Sequence, residues 1–270
     1  MIYLPHPLFA NTFALWAIGF IAVHDLSCLG TEPAKTDSSL KQTLKFELDI
    51  QPILTARGCN SGACHGKARG QNGFALSLLG FDANMDYEAI VKNSRGRRVS
   101  FAAPHESLLL NKAVGKQPHG GGARFSDTDE EYRLLLNWIQ DGVARTTDAD
   151  PKLINIAVSP DPHSMIAGQH EMLTVTAQYN DGTSRNVTPM CAFQSNEPAI
   201  VSIASSGRLQ AGALPGEATI MARYMGRIAT WSTAVPRPIP VTSDEYELLP
   251  RNNFIDDLVY QKLSTLNIRP

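Results

Sequence analysis

A marked excess of charge of either sign is missing from this sequence. Its 24 Lys and Arg nearly balance 26 Asp and Glu, for a formal net charge of -2. That leaves no electrostatic footprint for nucleic acid or for an anionic membrane surface. Cysteine is also scarce, and four thiols in 270 residues are too few for a disulfide framework. No G-x-S-x-G occurs, so the His119-Gly120-Gly121-Gly122 strip, which resembles an esterase oxyanion hole, lacks the nucleophile elbow it would need. With no catalytic constellation in evidence, the chain is not expected to be an enzyme. Long apolar runs are limited to one uncharged stretch, Pro7 to Val23, which is short for a membrane span and has no Lys or Arg before it.

That stretch, followed by the polar TEPAKTDSS, reads as a secretory signal over residues 1–34, with an uncleaved anchor helix as the alternative. Cleavage is placed after Ser27, near Cys28, or near Ala34, and Asp25 and Leu26 match a lipidation motif at Cys28 poorly. Either reading exports the remainder to the periplasm or cell surface.

Two modules follow. Over 44–147, FELDIQPILTARG sets Phe46, Ile50, Ile53 and Leu54 on one helical face, with Pro52 either in the first turn or at a break. GFALSLLGF alternates and reads as a short extended segment or loop, and Met85 to Asn93 reads as a short helix. Thr128 followed by Glu131 is a capping-box pattern. The helix it opens carries Leu134, Leu135, Trp138 and Ile139 on one face and stops at Gly142. Over 152–236, short alternating segments with Gly-containing turns, among them Asn180-Asp181-Gly182, predict an all-β immunoglobulin-like sandwich. Cys191 reads there as a small buried apolar residue, and His163 and His170 as surface residues. Residues 237–270 read as a Pro-rich linker and the first helix of a truncated following domain, capped by Asn252 or Asn253.

The motif with the most chemistry is Cys59-Asn60-Ser61-Gly62-Ala63-Cys64-His65. Two thiols and an adjacent imidazole are what covalent haem attachment needs, although the usual spacing has two residues between the cysteines and this one has four. In that reading Cys59 and Cys64 form the thioethers, His65 is the proximal iron ligand, and Gly66 lets the backbone approach a flat ring. His119 is the distal candidate, ahead of His105 and Met85. A Cys59–Cys64 disulfide, a zinc site and a thioredoxin-like pair compete. Arg95, Arg97 and Arg98 form a basic run that could pair with haem propionates, dock an acidic partner or simply be a solvated loop.

GCNSGACHGKARGQNGFALSLLGFD, PHGGGARF and EYRLLLNWIQDG together resemble the cytochrome-c-like region of large exported planctomycete proteins. VTAQYNDGTSRNVTP, FQSNEPAIVSI and GEATIMARYMG are similar to the bacterial immunoglobulin-like group 2 (BIG2-like) domain that follows it in that family. The resemblance implies a multidomain chain with a mainly-α cytochrome-c-like domain and an all-β immunoglobulin-like sandwich. It further implies one covalent haem c, electron transfer with an unidentified redox partner, and iron bound by His65 and His119. Contact with a cell-surface glycan or protein would fall to the immunoglobulin-like part. The alternative is a haem-free cell-surface binding or adhesion protein with a Cys59–Cys64 disulfide.

Overall fold

Phe46 to Ile50 form a π-helical turn that runs directly into α1, Gln51–Ala56. Pro52 lies in the first turn of α1, a position that proline tolerates. Phe46, Ile50, Ile53 and Leu54 are all buried. The computed structural model describes residues 43–270; the signal or anchor segment, Cys28 and the spacer after them lie outside the described residues.

Three further helices complete the first half. The second, α2, spans Ala83–Tyr87 and continues as a π turn over Glu88–Lys92. Then come α3, Leu108–Ala113, and α4, Glu130–Gln140. The longest, α4, has 11 residues, and the others have 5 or 6. What lies between them is irregular chain, with Asn72, Leu79, Ser94 and Arg95 all in the left-handed region. The first half is therefore not the mainly-α cytochrome-like domain that the sequence suggested. Its turns are held by loop-to-loop bonds such as His65 N–H to Cys59 O and Leu76 N–H to His65 O, rather than by helix packing.

Helix α4 buries Leu135, Trp138 and Ile139, with Leu134 half-buried. Its capping box does not form. Asp129 is the N-cap residue, and Glu131 turns inward to an ion pair with Arg57. A buried carboxylate with a cationic partner outweighs a reach back to the helix start.

Nine strands make up the second half, in three small antiparallel sheets. In the first, β1 (Leu153–Ser159) and β4 (Ser184–Asn186) flank β3 (Thr174–Tyr179). In the second, β2 (His170–Met172) and β6 (Val201–Ile203) flank β7 (Arg208–Ala211). In the third, β5 (Ala192–Ser195) and β9 (Arg227–Val235) flank β8 (Gly216–Tyr224). The expected immunoglobulin-like sandwich is thus replaced by three three-stranded units. The strands are too short, several at three or four residues, to extend into two broad facing sheets. Between β3 and β4, Gly182 takes φ +82, and Asp181 Oδ1 accepts from Thr183 N–H. Aspartate closes such turns through its short side chain, while glycine supplies the positive φ.

The two halves share one apolar core. Phe46, Ile50, Trp138 and Ile139 are continuous with Val175, Tyr179, Met190 and Tyr224, and a second cluster around Leu173, Ile220 and Trp231 fills the rest of the β half. The seam is also polar. Tyr224 Oη donates to Leu48 O at 2.9 Å, and Arg185 reaches the buried Asp49 carboxylate at 2.6 Å. After the β half come α5, Ser243–Glu247, and α6, Phe254–Thr265. Asn253 caps α6 through a reciprocal box with Asp256.

Candidate functional site: the cavity beside the Cys59–His65 loop

The Cys59–His65 segment is a tight turn. Cys64 N–H bonds to Ser61 O, His65 N–H to Cys59 O, and Gly66 N–H to Ser61 O. A Cβ at residue 66 would lie 2.0 Å from Asn60 O. Gly66 is therefore required for the loop to fold back on itself, not for approach to a flat ring.

This turn borders a cavity of about 420 Å³. Cys59, Cys64, His65 and His119 all line it; Met85 and His105 do not. His105 stands on an exposed turn beside Glu106, and Met85 is 40% exposed. The imidazoles of His65 and His119 are parallel within 6°, with centroids 6.2 Å apart. Each ring is anchored through Nδ1, His65 to Phe74 O at 2.8 Å and His119 to Gly122 O at 2.9 Å. A carbonyl can only accept, so Nδ1 carries the proton and Nε2 keeps its lone pair in the neutral ring. Burial pulls His65 below the usual imidazole range. The neighbouring His119, Arg98 and Arg124 act in the same direction, against the bond to Phe74 O.

The two thiols differ. Burial pushes Cys59 up to about 11, which keeps it protonated at neutral pH. Cys64 Sγ instead accepts a hydrogen bond from Arg124 Nη2 at 3.0 Å. Both are free in this structure, as is Cys191, which is buried in the β half.

Sequence reasoning missed Arg124 and misread Arg98. Arg98 is buried, 4% exposed as a residue, and its guanidinium lies 4.4 Å over the Phe74 ring and donates to the carbonyls of Ala89, Asn93 and Gly73. It is a strut between loops, and not a member of a solvated run. Adjacency to the glycine strip was the only signal at Arg124. Nothing local showed that it would reach a sulfur 60 residues away.

No family model matches this chain. Over 73 residues it is 38% identical to an S-layer-related protein of Niallia circulans. That stretch is 27% of this chain and 4% of the relative, so the chain spans only a small part of the relative's length. Among solved structures, domains 4–9 of the surface layer protein SbsC align with 35% of this chain and 16% of that one, at TM-score 0.29 and 22% identity. The larger rSbsC(31-844) structure aligns with 36% of this chain and 15% of that one, at TM-score 0.30 and 24% identity.

These findings correct the cytochrome reading. The relative found is an S-layer-related protein, and no family model, cytochrome-c-like or immunoglobulin-like group 2, matches the chain. Among the described residues, no group of three or more His, Cys, Asp or Glu side chains could hold a metal ion. At the motif itself, the Cys64 sulfur is engaged by Arg124 and the Cys59 thiol is buried. The residues present do not fit a covalent haem c, and with it the iron, metal-binding and electron-transfer expectations are set aside.

Proposed function

We propose that this chain is an exported, haem-free cell-surface protein whose β half makes contacts with the cell envelope or with neighbouring surface protein, and that it carries no catalytic activity. The observation that supports it best is the 38% identity over 73 residues with an S-layer-related protein. The uncharged run from Pro7 to Val23 points the same way, as an export signal. The β half is suited to a contact role. It presents antiparallel strands in which buried residues alternate with half-buried or exposed ones, over an apolar core. Outside the cytoplasm the free pair Cys59 and Cys64 meets oxidising conditions, and their pairing as a disulfide belongs to the same proposal.

Labelling intact cells with a membrane-impermeant amine reagent tests this reading. The full chain carries exposed lysines, among them Lys67 and Lys116, and is expected to be labelled without lysis. Labelling only after the cells are broken would overturn it.

A further inference from the structure

The cavity beside the Cys59–His65 loop has an uncompensated charge. Arg97, Arg98, Lys112 and Arg124 all line it, and no Asp or Glu does. Among the described residues none of the four cations is in an ion pair. Behind them the wall is apolar, with Leu54, Leu76, Phe125 and Leu135 buried around it. Cationic groups gathered on an apolar, partly desolvated wall are costly until an anion joins them. The volume lies in the range that takes a small organic ligand.

We propose that this cavity binds a small apolar molecule bearing a carboxylate, with the acid at Arg97 and Arg124 and the hydrocarbon body against the leucine wall. Guanidinium groups suit the acid because their planar fork matches a carboxylate. Arg124 gives one Nη2 hydrogen bond to Cys64 Sγ and retains further donors; Arg97 is exposed at the rim. The two imidazoles are held by backbone carbonyls through Nδ1, and the permanent positive charge of the lining is that of the four long side chains.

Sodium dodecanoate, titrated calorimetrically into the full chain below its micellar concentration, tests this. Dodecyltrimethylammonium is the control of opposite charge and equal length. Dodecanoate is expected to bind and the cation not to bind. Arg97→Gln and Arg124→Gln are each expected to weaken dodecanoate by about tenfold, the loss of one charge-assisted hydrogen bond. Arg97 makes no contact that the fold depends on, so its variant reads the charge even if Arg124→Gln perturbs the Cys64 loop. Equal binding of the cation, or dodecanoate affinity unchanged in Arg97→Gln and in a folded Arg124→Gln, would overturn the proposal. Surface labelling of intact cells does not depend on this ligand, so failure here leaves the envelope location standing.

Discussion

Individual side chains in this protein settle their charges locally, and His163 is the clearest case. Its Nδ1 meets the carbonyl of Asp161, and its Nε2 meets Glu171 at 2.8 Å. Both partners favour the imidazolium, with the Asp161 carbonyl the larger influence, and they raise His163 above its ordinary value of 6.5. A raised imidazole stabilises the fold fully below its unfolded pKa, and that contribution is lost as pH rises through the folded pKa. The ring also stands edge-on to Trp231, with centroids 5.6 Å apart. Tryptophan emission should therefore step as His163 titrates, with a midpoint above 6.5. The step should vanish in His163→Gln. A midpoint at or below the ordinary value would contradict the role given to Asp161 and Glu171. Asp86 shows the opposite setting. It is fully buried, and burial raises its carboxyl above the usual range, although Ser77 and Gln51 donate to it.

At the scale of elements, what could be read from the sequence tracks how local the stabilising contacts are. Helix α4 was legible because its apolar positions recur at helical spacing and Gly142 follows it. The start of α6 was legible as far as Asn252 or Asn253, and the structure selects Asn253, whose box partner Asp256 lies three residues on. Replacing Asn253 with alanine should cost about 1 kcal/mol in the opening of α6. Hydrogen exchange should show protection of the α6 amides falling about fivefold, whereas unchanged protection would mean that the box holds nothing. The chain between α1 and α4 was not legible in this way. Its bonds run between loops, and Arg98 turns inward from a stretch that reads as solvent-facing. The cysteine and histidine motif was legible as a cluster around one cavity but not in its chemistry. The partner that reaches Cys64 is an arginine from a distant loop, and no periodicity announces it.

Over the whole molecule, the shared core and its polar seam decide how the described residues unfold. Asp49 is 3% exposed, and Arg185 from β4 supplies its cationic partner. Lys45 N–H is the other group that donates to it. Arg185→Ala should lose about 3 kcal/mol, because it leaves a carboxylate buried without its counter-charge. Urea unfolding followed by far-ultraviolet dichroism and by tryptophan emission should give coincident transitions in both the parent and the variant. Separate transitions for the helical and β signals would show that the seam does not couple them.

The Tyr224–Leu48 bond has a practical corollary. It closes across 176 residues, joining the last residue of β8 to the π-helical turn that precedes α1. Cutting the polypeptide at the loop before β1 would strip Phe46 and Trp138 on one side, and Val175 and Tyr224 on the other, of the neighbours that keep water out. Neither fragment would then be a fair stand-in for its half of the intact protein, and sticky, poorly soluble material is the outcome to anticipate from such a dissection.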